Sequence, residues 1–257
     1  MKRITLEKVL FPLLLSLLLT ACGGDNYSEL MRAADYGDSE GLTRILARGA
    51  NINEQSKQGR TALMLAAVQG HTGIVKTLIE RGADVNIQDV NGTTALIAAA
   101  TSNHTETVKL LLENGADITT QDLNGGSAII NSVFFGYKET VAELLKYKDK
   151  LPQETLEEAL LLGSGLGRTE IVSHMLKLGI NVNAKGYNDR TPLMAAINFG
   201  HPDTVRVLID HGADVNAKDT NGNTPIDIAK QNKHEDILKL LQHAGDSKKG
   251  KKAKAKK

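Results

Sequence analysis

One register of residues recurs along this chain and limits what it can fold into. Gly37, Gly70, Asn103, Gly136, Gly167, Gly200 and Lys233 mark the same point in seven successive units, spaced 33, 33, 33, 31, 33 and 33 residues apart. Four residues before each mark the side chain is small: Ala33, Ala66, Ala99, Ser132, Gly163, Ala196 and Ala229. Seven before it is aliphatic: Leu30, Leu63, Leu96, Ile129, Leu160, Leu193 and Ile226. Leu42, Val75, Val108, Val141, Val172, Val205 and Leu238 stand five after, and Ile45, Leu78, Leu111, Leu144, Met175, Leu208 and Leu241 eight after. Self-similarity at this period belongs to stacked supersecondary units.

Apolar positions three apart, such as Leu63 and Ala66, share one face of a short helix, and Val75, Leu78 and Ile79 share one face of the next. Helices this short do not persist alone in water. Each pair leaves an apolar face that only a neighbouring unit covers, so the units form a solenoid with a continuous core. Only 4% of the chain is aromatic and Trp is absent, which suits thin layers built from Leu, Ile, Val and Ala. The small position lets adjacent first helices approach closely.

Turn chemistry agrees. Thr61-Ala62-Leu63, Thr94-Ala95-Leu96, Thr191-Pro192-Leu193 and Thr224-Pro225-Ile226 open first helices, with Thr as N-cap and Pro at the first helical position. Gly49, Gly82, Gly115, Gly179, Gly212 and Gly245 follow second helices, where a left-handed residue ends a helix at little cost. Asn91-Gly92, Asn124-Gly125 and Asn221-Gly222 mark the tips of extended loops. With these motifs in hand, Thr191-Pro192-Leu193-Met194-Ala195-Ala196, Gly200-His201, Val205 and His211-Gly212-Ala213-Asp214-Val215-Asn216 together resemble the ankyrin repeat pattern, as do Gly70-His71 and Gly82-Ala83-Asp84-Val85-Asn86. The resemblance covers roughly residues 27–246 and implies an all-α solenoid of about seven helix–turn–helix units with short hairpin loops. It also implies that partners lie against loop tips and first helices. The His usual after Thr-Pro-Leu is replaced by Met64, Ile97, Ile130 and Met194, so its loop-bracing hydrogen bond is missing.

The units fall at about 27–54, 55–87, 88–120, 121–152, 153–184, 185–217 and 218–246. The first lacks an opening strand, as a cap would. The fourth ends Lys148-Asp149-Lys150-Leu151-Pro152 and loses two residues before the fifth begins, so the loop between them is expected to be shortened or absent.

Residues 1–21 read as a secretory signal: Lys2, Arg3 and Lys8 precede an apolar run from Val9 to Leu19 that is too short to span a bilayer. Leu19-Thr20-Ala21-Cys22 resembles a bacterial lipobox, and Cys22 is the chain's single cysteine. That resemblance implies lipidation at Cys22, a linker over 22–26 and, because Gly23 and not Asp follows, the outer membrane facing the periplasm. At the other end, residues 247–257 are expected to form a disordered tail, since Lys248 to Lys257 holds seven lysines. Without the signal and those lysines the body carries 21 basic and 29 acidic side chains, a balance of about −8.

Catalytic readings dissolve into the repeat. His71, His104, His201 and His234 recur directly after the mark; in ankyrin repeats such a residue helps cap and orient the second helix. His174, His211 and His243 lack metal-ligand spacing. Gly163-Ser164-Gly165-Leu166-Gly167 fits neither G-x-S-x-G nor G-x-G-x-x-G. No catalytic set, metal or cofactor is expected. Side chains that the repeat does not explain point to a partner-binding patch: Phe134, Phe135, Leu166, Tyr187, Arg190 and Phe199, since aromatic residues and Arg are enriched at binding hot spots. The expected function is a monomeric, lipid-anchored scaffold in the bacterial envelope that binds another protein and no nucleic acid. The alternative is an immunity protein that neutralises a periplasm-acting toxin, such as a secreted phospholipase or wall hydrolase.

Overall fold

The computed structural model describes residues 27–254, with side chains as far as residue 244. The signal segment and Cys22 lie outside the described residues. Among the described residues fourteen α-helices follow one another in seven pairs, and there is no strand, only an isolated antiparallel bridge between Gln121 and Ser127.

The helices fall into two compact units divided between Leu151 and Pro152. The first contains α1 (Glu29–Tyr36), α2 (Ser39–Ala47), α3 (Ala62–Gln69), α4 (Thr72–Glu80), α5 (Ala95–Thr101), α6 (Thr105–Glu113), α7 (Ala128–Phe135) and α8 (Lys138–Leu145). Within it α1, α3, α5 and α7 pack in succession, backed by α2, α4, α6 and α8. The second unit contains α9 (Gln153–Gly165), α10 (Thr169–Lys177), α11 (Pro192–Asn198), α12 (Pro202–Asp210), α13 (Pro225–Gln231) and α14 (Glu235–Lys254). There α9, α11 and α13 pack in one row and α10, α12 and α14 in another.

Side-chain caps set where first helices begin. Thr61, Thr94, Thr191 and Thr224, joined by Ser28 and Ser127, accept the amide of the third helical residue. This satisfies an amide that has no partner inside the helix. The frame marks set where they end: all seven are left-handed, with φ between 59° and 80°.

The repeated apolar positions form the core. Leu63, Leu96, Ile129, Leu160 and Leu193 on first helices, and Val75, Leu78, Val108, Leu111, Val141, Leu144, Val172, Met175, Val205 and Leu208 on second helices, are all buried. Burying each such side chain contributes about 1.5–3 kcal/mol. Ile45, Ile226 and Leu238 are only half-buried, because among the described residues the first and last pairs have a neighbour on one side alone. Met64, Ile97, Ile130 and Met194, which replace the usual His, are buried apolar contacts.

Three features differ in form from the rest of the array. Between α8 and α9 the extended loop is absent: a 3-10 turn at Lys148–Lys150 leads through Pro152 directly into α9, which has 13 residues. Gly245 does not end the last helix but lies inside α14. The same helix enters the Lys-rich stretch for which charge repulsion predicts disorder, and runs to Lys254. Lys and Ala are good helix formers and no Pro interrupts the segment.

Candidate protein-binding surface

The loops between helix pairs are fingers braced by repeated hydrogen bonds. Backbone pairs close them: the amide of Ser56 donates to Arg60 O (2.9 Å), Asp89 to Thr93 O (3.0 Å), Asp122 to Gly126 O (2.8 Å), Gly186 to Arg190 O (2.9 Å) and Asp219 to Asn223 O (3.1 Å). Asp89 Oδ1 accepts the amides of Asn91 and Thr93, both at 2.8 Å. Asp122 Oδ1 does the same for Asn124 and Gly126, and Asp219 Oδ1 for Asn221 and Asn223.

Neighbouring tips are also joined. Val90 N donates to Gln58 O at 3.0 Å and Leu123 N to Asn91 O at 2.8 Å in the first unit, and Thr220 N to Asn188 O at 3.0 Å in the second. At the finger bases, Asn53, Asn86 and Asn183 accept through Oδ1 the amides of Asp84, Asp117 and Asp214 in the following repeat, at 2.8–2.9 Å. The carboxylates of Asp89, Asp122 and Asp219 therefore serve as turn acceptors. The result, within each unit, is a set of polar ridges already ordered before any partner arrives, which lowers the entropy lost on binding.

The recurrent histidines stitch repeats together. His71, His104 and His201 occupy N-cap positions, yet none caps its own helix through the side chain. This corrects the capping role implied by the family resemblance. Instead Nε2 reaches a backbone carbonyl of the preceding repeat: Asp35 O at 3.1 Å, Val68 O at 3.0 Å and Gly165 O at 3.0 Å. A carbonyl only accepts, so Nε2 carries the hydrogen in each. Hydroxyl pairs link the second helices in parallel: Thr72 with Thr107 and Thr169 with Thr204, both at 2.8 Å, and Thr105 with Thr140 at 2.7 Å.

Electrostatics single out the fourth repeat. Burial pushes the Asp122 carboxyl up, against the amides of Gly126 and Asn124, and the Asp89 charge adds to the rise. At the equivalent Asp219, burial also pushes upward, but the side chain and backbone of Asn223 and the Asn221 amide outweigh it and hold the carboxyl below its ordinary value. Side chains around the two carboxyls differ: Gly126 occupies the place of Asn223 and offers no second donor, the Asp89 charge raises Asp122, and the Arg190 charge lowers Asp219. Beside it, Asn131 is buried on α7. Its Nδ2 donates to Thr101 Oγ1 at 2.9 Å, while its Oδ1 has no donor among the described residues.

The six residues expected to bind a partner divide between the units. Phe134 and Phe135, at the end of α7, are half-buried and meet edge to face with centroids 5.1 Å apart. Phe135 also stacks on Tyr137 at 5.5 Å. In the second unit Tyr187 and Arg190 are exposed on the finger before α11. Phe199 is 50% exposed, and its ring lies over Gly165, the neighbour of half-buried Leu166.

The repeat pattern missed two further side chains. Val90 is 53% exposed and Leu123 79% exposed, on adjacent hydrogen-bonded tips. Both fill the second place of Asp-x-Asn-Gly, where Thr220 stands in the later finger. A large apolar residue in that turn position is the signal that would have found them.

Comparison with known proteins agrees with the architecture. The crystal structure of the human ASB11 ankyrin repeat domain is similar with a TM-score of 0.73 and 28% identity, over 85% of this chain and 98% of that one. No curated protein matches by sequence. The family described as "Ankyrin repeats (3 copies)" matches residues 30–122 and 164–252, more than half of the chain. Ankyrin repeats typically serve as non-enzymatic scaffolds for binding other proteins. The chain belongs to the ankyrin repeat family.

Proposed function

We propose that this chain is a protein-binding scaffold held in the bacterial envelope by lipid on Cys22, with its repeats in the periplasm. The observation that carries the binding reading is the pair of exposed apolar tips, Val90 and Leu123, on fingers locked to each other by a backbone bond. Exposed apolar side chains on rigid, acidic ridges favour a partner that brings an apolar patch with a basic rim. In the second unit Phe199, Tyr187 and Arg190 are candidate contacts of their own.

The test is capture from the envelope fraction by the full chain, compared with Val90→Asp/Leu123→Asp. One partner retained by the wild type and lost by the variant supports the reading. Equal recovery of the same proteins by both removes the finger tips from it. A second reading, an inhibitor of a basic toxin acting in the periplasm, is favoured by the acidic body. It predicts that a captured partner is toxic when exported alone and harmless when this chain is co-expressed.

A further inference from the structure

The outer side of the first helix pair differs from the rest of the acidic body. Among the described residues α1 packs on α2 and α3, and α2 on α1 and α4, which leaves a groove of about 520 Å³ along the α1–α2 seam. Arg32, Arg44 and Arg48 line it together with Tyr36 and Ile45. All three arginines are exposed, and none is in an ion pair among the described residues. Tyr36 is 79% exposed. Two carboxylates share the groove, Glu29 and Asp38; Asp38 is engaged at the start of α2, where Oδ1 accepts the Gly41 amide at 2.8 Å.

We infer that this groove rests on the membrane and seats phospholipid headgroups, an inference that depends on the lipid anchor proposed at Cys22. Tether length and chemistry both lead to it. Six residues separate Cys22 from Glu29, a span of at most about 25 Å when fully extended, so an acyl chain at Cys22 holds α1 close to the headgroup layer. Guanidinium groups pair with phosphate through two parallel hydrogen bonds. A tyrosine ring suits the headgroup level, apolar along its body and polar at its tip. Glu29 adds an acceptor for the ammonium of a zwitterionic headgroup, so the groove matches a lipid that carries both charges, such as phosphatidylethanolamine.

The chain has no tryptophan, so Tyr36→Trp places a single reporter in the groove. The full-length, acylated protein is floated with vesicles of phosphatidylethanolamine and phosphatidylglycerol containing brominated acyl chains. The expected result is a blue-shifted, quenched indole for Tyr36→Trp and an unquenched one for Leu123→Trp on a finger tip. Adding Arg32→Gln, Arg44→Gln and Arg48→Gln is expected to weaken the contact by about fivefold for each arginine removed. Protein that is acylated and floats, with the Tyr36→Trp indole quenched no more than the Leu123→Trp indole, overturns the groove contact and leaves the anchor standing. A Cys22 shown by mass spectrometry to be unacylated overturns the anchor, and the groove contact falls with it.

Discussion

Replacing Gly70 with Ala tests whether the histidine stitch, and not backbone conformation alone, makes the frame mark a glycine. Gly70 has φ 72°, and a Cβ there would lie 2.4 Å from Nδ1 and 2.5 Å from Cε1 of His104. Those ring atoms belong to the group whose Nε2 donates to Val68 O at 3.0 Å. Gly82 is the control, with φ 88° and nothing within 4 Å of its missing Cβ. Both substitutions force a residue with a Cβ into the left-handed region, at about 1–2 kcal/mol. Only Gly70→Ala must also displace the ring and break its hydrogen bond, adding about 1 kcal/mol or somewhat more. Gly82→Ala should therefore destabilise by about 1–2 kcal/mol and Gly70→Ala by about 2–4 kcal/mol. Urea unfolding followed by far-ultraviolet circular dichroism measures both, and amide exchange across α3–α6 places the loss at the expected interface. In the His104→Ala background the excess of Gly70→Ala should vanish. Equal losses for the two alanines, or an excess that survives without the ring, would refute the stitch.

Two substitutions probe the fourth repeat. Asn131→Leu should stabilise by about 1 kcal/mol in urea unfolding, because relieving a buried acceptor without a donor outweighs the Thr101 bond that is lost. Asp122→Asn should also stabilise at neutral pH. The Asp122 carboxyl is raised in the folded chain, so its contribution is fully present below the unfolded carboxylate range near pH 4 and lost as pH rises through the folded value. The gain from Asn should therefore be largest at pH 7 and shrink toward pH 3; a gain that does not vary with pH counts against buried ionisation. For Asp117, hydrogen bonds from the Thr119 hydroxyl and amide lower the carboxyl, so Asp117→Asn should lose stability at pH 7 and approach the wild type in acid.

Much of the fold was legible because its rules are local and repeat. Leu63 and Ala66, Val75 and Leu78, and the Thr caps each announce a helix face or a helix start within a few residues, and seven copies remove the ambiguity of any one. The missing finger before α9 was legible from Pro152 and the lost two residues. The extension of α14 was not: charge repulsion among lysines and their helix propensity pull in opposite directions, and sequence pattern does not rank them. Nor was the histidine contact, whose partner is a carbonyl in the preceding repeat, the atom type least visible in a sequence. The binding surface was legible only in part. Phe199 and Tyr187 stand out by composition, but Val90 and Leu123 look like ordinary core residues until the hydrogen-bonded tips place them outside.

The two frame marks that are not glycine separate the two demands made on that position. Asn103 and Lys233 take the same left-handed turn, with φ 61° and 59°, so conformation alone does not exclude a side chain. Gly37, Gly70, Gly167 and Gly200 each lie beneath a histidine of the following repeat, within 3.0 Å of where a Cβ would sit. After Asn103 the corresponding residue is Tyr137, and after Lys233 no further repeat follows in the described residues. Glycine is thus required where a ring must be seated and merely favoured elsewhere. Lys233→Gly should accordingly relieve left-handed strain and stabilise the last helix pair by about 1 kcal/mol. Gly200→Lys, which carries the same residue to the mark beneath His234, should destabilise by more than Lys233→Gly gains, because strain and ring displacement add. Amide exchange in α13 and α14 reads the first effect, and urea unfolding of the full chain reads the second. If Gly200→Lys costs no more than the strain released at Lys233, the ring contact contributes nothing and left-handed conformation alone explains the recurring glycine.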